Sequence, residues 1–216
     1  MTHTVDLYWS FRSPYSYFVL PRMAELERDW DASVNLRVVS PIAVRQPDFF
    51  ANAKPQWFGY FMRDCHRCGE FLGLPFRWPR PDPVVMDPVT RAIPAEQPYI
   101  HRLVRLGQLA VERGKGMEFL LAVSRTIWSG EVESWIEGDH LAKVAASVGL
   151  DLAEMDAAII EGAERLDAAT AANEAAQMPH HYGVPLMVYD GEHFFGQDRF
   201  DQLLWRMQQK GMTRRA

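Results

Sequence analysis

Ser13-Pro14-Tyr15-Ser16 is the stretch of this chain best suited to chemistry. A serine ahead of a proline at the first position of a helix is an ordinary N-cap, which needs no function. The same position also gathers unpaired helix amides and the positive end of the helix dipole, and these suit an anionic or nucleophilic atom. Gly183-Val184-Pro185 sets a proline at the start of a strand. It is either a plain trans proline or a cis bond that offers the Val184 amide and carbonyl to a peptide ligand. Gly196-Gln197-Asp198-Arg199 places Asp198 as N-cap of the last helix, where its carboxylate could also meet an α-ammonium group. Arg12 either attracts a substrate carboxylate or faces solvent, and we favour solvent.

Cys65-His66-Arg67-Cys68 has the spacing of a redox pair or half a metal site. It lies inside an aromatic helical run, however, and no second such pair exists. His180 and His181, the one histidine pair, would not face one another on a helix. We therefore read Cys65 and Cys68 as ordinary helix residues and expect no metal site.

The elements that must position these residues follow from periodicity. Val5–Ser10 reads as a strand, Pro14 to about Arg28 as a helix, and Val34–Ser40 as a second strand. Together they form a βαβ unit with a right-handed crossover. Pro55–Leu72 reads as an aromatic-rich helix, in which Trp57, Phe58, Tyr60 and Phe61 could form a wall for a flat hydrophobic substrate. Residues 75–98 hold seven of the fourteen prolines and read as a loop. From Tyr99 to Gly183 the signals are helical, with stops at Gly114, Gly130, Gly149 and Gly162 and N-caps at Asp139 and Asp151. Pro185–Tyr189 and His193–Phe195 flank the turn pair Asp190-Gly191, and a helix from Arg199 to about Lys210 closes the chain.

The two ends supply the parts of a thioredoxin-like sheet. The predicted fold is therefore α/β: a thioredoxin-like domain (1–50 and 184–216) with a large all-helical insertion (51–183, including the 75–98 loop). In such a fold the Ser13 turn is where a redox Cys-x-x-Cys would stand. With serine at both positions, disulfide exchange cannot run there. The turn could instead hold a thiolate supplied by another molecule.

With 216 residues, 48% of them hydrophobic, the chain can bury a sizeable core. A net charge of −5 without basic runs argues against nucleic acid or an anionic membrane as partner. No apolar run approaches the ~18 residues of a membrane span, and no secretory signal is visible at the start. The expected location is the cytoplasm, with both thiols reduced.

The Ser-Pro-Tyr-Ser-Tyr turn, the terminal Gly-Val-Pro and the Phe-Phe-Gly-Gln-Asp-Arg segment resemble the 2-hydroxychromene-2-carboxylate isomerases and the related kappa-class glutathione transferases, on the DsbA-like branch of the thioredoxin superfamily. The resemblance spans essentially the whole chain. It implies glutathione as cofactor, with Ser13 bonding its sulfur, Val184 and Pro185 meeting its cysteinyl backbone, and Asp198 beside Arg199 at its γ-glutamyl end. Asn52 and Lys54 are implied at the glycyl end, although here Ala53 intervenes in the family's Asn-Lys-Pro segment. The implied activity is a glutathione-dependent isomerase acting on a small hydrophobic or aromatic substrate. A transferase that conjugates glutathione is the alternative, and a thiol–disulfide oxidoreductase or peptide-binding module is a third reading. A homodimer is compatible with the family and undecided by the sequence.

Overall fold

The computed structural model describes residues 3–215. Strand β1 (His3–Trp9) lies at the centre of a four-stranded sheet of order β2-β1-β3-β4. It runs parallel to β2 (Ala32–Val38) and antiparallel to β3 (Leu186–Tyr189), which pairs in turn with β4 (Glu192–Phe195). The β3–β4 turn is made by Asp190 and Gly191, both at positive φ (52° and 79°), as a two-residue hairpin of this twist requires. Strand β2 starts and stops two residues earlier than the apolar alternation predicts. Its ladder with β1 ends near Val39, because the Ser40 amide donates to the Glu174 carboxylate at 2.8 Å rather than to a strand.

Helix α1 (Pro14–Asp29) connects β1 to β2. A four-residue helix α2 (Ile42–Arg45) precedes α3 (Pro55–Leu72), which begins at a proline and ends at Gly73 with φ 65°. The proline-rich residues 75–98 contain no helix or strand. Helices α4 (Ile100–Glu112), α5 (Gly116–Trp128), α6 (His140–Ser147), α7 (Leu152–Glu161) and α8 (Ala163–Gln177) follow, and α9 (Phe200–Gln209) packs against the hairpin. Among the described residues no helix is long and apolar enough to cross a membrane.

Two of the expected caps differ from each other. Asp151 accepts the Glu154 amide, as an N-cap should. Asp139 stands at the N-cap position of α6 but its side chain accepts no helix amide; the carboxylate pairs instead with Lys143 one turn on.

One large apolar cluster includes Val5, Leu7 and Trp9 of β1 together with α1 and residues of α4 and α5, while Tyr8 faces the other way with Leu186 and Val188. The helices also hold the turn after β1. Phe11 is fully buried: its carbonyl accepts the Trp128 indole N–H at 3.0 Å, and its ring packs so closely on α4 that a Cβ at Gly107 would lie 2.8 Å away. Ser13 therefore stands on a turn clamped from below.

Candidate active site

Ser13 is the N-cap of α1, with extended backbone (φ −106°, ψ 114°). Its Oγ accepts the Ser16 amide at 3.2 Å, and its hydroxyl points toward the Val184 carbonyl at 3.4 Å. That second distance is long for an O–H···O bond, so the hydroxyl hydrogen is only weakly engaged and can turn to a better acceptor. The Val184–Pro185 peptide is cis. Ser13 and Val184 thus meet across 171 residues of sequence at one corner.

The Val184 edge is held by groups that the sequence reading did not single out. Fully buried Gln177 donates to the Gly183 carbonyl at 2.7 Å and accepts from Arg45, whose other Nη donates to the Tyr182 carbonyl at 2.9 Å. The Gly183 amide donates to His181 Nδ1 at 2.9 Å, which requires a neutral ring at that nitrogen. Burial, with His193 nearby, pushes the His181 pKa down, in favour of the neutral ring. Gly183 is required for space, since a Cβ there would lie 2.6 Å from the Phe195 ring. The one signal available beforehand was the Gly-Val-Pro run itself.

Beside this corner lies a cavity of about 240 Å³ with mostly apolar walls. Trp57 and Phe61 form one side, stacked with ring centroids 5.4 Å apart, and Phe49 meets Trp57 edge-on. The expected aromatic wall is thus half realised. Phe58 turns away to pack under the Arg91 guanidinium, and Tyr60 is 54% exposed beside Arg67, because α3 presents those positions on its other faces.

Arg12 does not face solvent. Its side chain is 9% exposed, lines the cavity and makes a two-pronged ion pair with Asp82 of the proline-rich segment. Asp198 is not the N-cap of the last helix. Residues Gln197–Arg199 form a 3-10 turn ahead of α9, and the exposed Asp198 carboxylate caps no amide and lies 3.7 Å from Arg199. Asn52 and Lys54 are exposed just before α3, where Lys54 contributes only its backbone as cap. Asn52, Lys54, Asp198 and Arg199 all lie off the cavity lining.

Cys65 and Cys68 are free thiols within α3. Burial pushes the Cys65 thiol far up, and burial followed by the Asp64 charge pushes Cys68 up to about 11. Both are poor nucleophiles. Among the described residues no cluster of three metal-ligating side chains exists.

Residues 4–208 match the DSBA-like thioredoxin domain family. No curated protein matches the chain. Solved structures of similar fold include a 2-hydroxychromene-2-carboxylate isomerase, with TM-score 0.70 at 21% identity over 96% of this chain and 95% of that one. They also include a probable DsbA oxidoreductase from Streptomyces coelicolor, with TM-score 0.65 at 21% identity over 96% and 91% of the two chains. The cytosolic disulfide reductase DsbM from Pseudomonas aeruginosa, solved with GSH, matches with TM-score 0.62 at 18% identity over 95% and 99%. At these identities the likeness establishes the fold.

Proposed function

Since the chain belongs to the DSBA-like thioredoxin domain family, we propose that its Ser13 corner binds glutathione to isomerise a small hydrophobic or aromatic substrate. The reaction type is that of the 2-hydroxychromene-2-carboxylate isomerases, in which the cofactor is regenerated. The observation that carries this reading is the turn itself. It has serine at both Cys-x-x-Cys positions, and one of the two hydroxyls is weakly engaged at a helix N-terminus beside an aromatic cavity.

The residues at the corner fit a thiol tripeptide. Ser13 Oγ–H can leave its long contact with Val184 and donate to a sulfur anion, which a charge-assisted bond favours. The α1 dipole lowers the energy of negative charge at the same place. The Val184 carbonyl and Pro185 supply the edge for a cysteinyl backbone. Asp198 with Arg199, and Asn52 with Lys54, are proposed for the two ends of the tripeptide, from exposed positions outside the cavity. Bound glutathione would supply a thiolate able to add to an electrophilic substrate and leave again. Trp57 and Phe61 would shield the substrate from water. The cytoplasm, where glutathione is kept reduced, is part of the same proposal, and it is supported by a DSBA-like relative of this fold that is cytosolic and has been solved with GSH.

Ser13→Ala tests the reading. Removing one donor to a developing anion should lower turnover by roughly a hundredfold or more. The lost cap should cost about 1 kcal/mol of stability, read separately by thermal melting. Near-normal turnover would sink the thiolate role. No heat on titrating the wild type with millimolar glutathione would sink the cofactor. Stoichiometric loss of glutathione during turnover would replace the isomerase by a transferase.

A further inference from the structure

Among the described residues, Arg12 is the sole charged residue on the cavity lining. That cation is already matched. Its Nε and Nη2 donate to the two carboxylate oxygens of Asp82 at 2.8 and 2.9 Å, and the guanidinium lies 4.7 Å from the centroid of the Phe50 ring. A planar fork meeting both oxygens of one carboxylate is the strongest geometry available to this pair.

Asp82, its side chain 37% exposed against 9% for Arg12, is positioned by its own segment. It stands between Pro81 and Pro83, which restrict the backbone on both sides. The Pro81 carbonyl accepts the indole N–H of buried Trp135 at 2.7 Å, and Val84 is fully buried. Asp82 Oδ1 also accepts the Val84 amide at 2.9 Å. The proline-rich segment therefore delivers a fixed carboxylate to the one cation of the cavity.

A substrate carboxylate arriving at Arg12 has two options. It can displace Asp82 and leave that anion without its partner, or it can share the guanidinium and set two like charges within a few ångström. Both are unfavourable. Asp82, itself off the cavity lining, already offsets the Arg12 charge and takes its Nε–Nη2 edge, so an incoming carboxylate gains little there. An uncharged aromatic ring meets no such opposition from the apolar walls.

We infer that this cavity takes an uncharged planar aromatic substrate, and that Asp82 is the residue that excludes carboxylates. The inference rests on the cavity being the substrate site of the proposed reaction. It departs from the carboxylate substrate that the family resemblance implies.

Equilibrium dialysis of the full chain without glutathione, against 2-methoxynaphthalene and 2-naphthoate, tests it independently of the cofactor. The wild type should bind the neutral probe about tenfold or more tightly than the anion, a gap of ~1.4 kcal/mol. Asp82→Asn keeps the oxygen that caps Val84 but frees the Arg12 charge. It should tighten 2-naphthoate by about tenfold and change the neutral probe by less than about threefold. Equal or tighter binding of 2-naphthoate by the wild type overturns the inference, and so does a folded Asp82→Asn protein with no gain. Failure of both probes to bind overturns it as well, while leaving the glutathione titration to decide the cofactor. Should Asp82→Asn not fold, Asp82→Ser, which also removes the charge and keeps an oxygen near the Val84 amide, is put to the same comparison with the same outcomes.

Discussion

The Ser13–Ser16 turn and the Cys65–Cys68 segment share a spacing, and they touch. Tyr15, inside the first, donates to Asp64, just ahead of the second, at 2.7 Å. They differ in where each pair sits on its helix. Ser13 is the N-cap of α1, with an open amide end and a cavity beside it. Cys65 and Cys68 lie in the body of α3, where the amides are already bonded along the helix and burial raises both thiols. A thiol is the better nucleophile in principle, yet in the proposed function it is the serines that hold the reactive position. Place on a helix, more than the identity of the side chain, sets what this chain can do.

The sharpest way to break that comparison is to move a thiol to the open end. In Ser13→Cys, the introduced thiol should be alkylated by iodoacetamide at pH 7 on the order of a hundredfold faster than Cys68, the gain in thiolate fraction being offset in part by lower intrinsic nucleophilicity. Peptide mapping by mass spectrometry reads both sites in one protein. Equal rates would mean that the helix end confers nothing.

A second contrast is mechanical. Gly183 backs the Val184 edge against the far end of the Phe195 ring, which is stacked by His181 at a centroid distance of 3.8 Å on its other contact. Gly183→Ala should destabilise the protein by about 1–3 kcal/mol in urea melts and weaken glutathione binding. Gly59→Ala in α3, where the nearest atom beyond the helix backbone is an Arg63 nitrogen 4.0 Å off, should be neutral or stabilising by up to about 1 kcal/mol. Equal tolerance at both glycines would show the Ser13 corner to be less rigid than its bonds imply.

What could be read from sequence divides along the same line. α1, α3 and the hairpin were legible because their signals are local: Ser-Pro and Pro55 at helix starts, and Asp190-Gly191 at a turn. The long-range pairings were not. Arg12 and Asp82 are 70 residues apart, and the proline-rich segment that carries Asp82 has no periodicity to give its direction. Gln177 and Arg45 act on the Gly183 loop through bonds that no spacing rule reports. Asp198 looked like an N-cap because an acidic residue opened an apolar-periodic run. A 3-10 turn intervenes, and Gly196 at φ 102° brings its backbone so close to Asp198 that a Cβ would lie 2.5 Å from the carboxylate.

The smallest expected effect separates the two largest of the causes that silence Cys68. Burial is the larger and the Asp64 charge the next. The Cys68 thiol lies 3.6 Å from Asp64 Oδ2, the oxygen that also accepts from Tyr15. Asp64→Asn keeps an acceptor for Tyr15 and removes the negative charge, so the Cys68 pKa should fall from about 11 while burial still holds it above the ordinary thiol range. A lower pKa means more thiolate at a given alkaline pH, so alkylation at pH 9 should rise severalfold. It should remain far slower than at the thiol introduced by Ser13→Cys. If Asp64→Asn alone brought Cys68 to that level, charge rather than burial would be what silences the α3 pair. The contrast between the two regions would then come down to one carboxylate rather than to position on a helix.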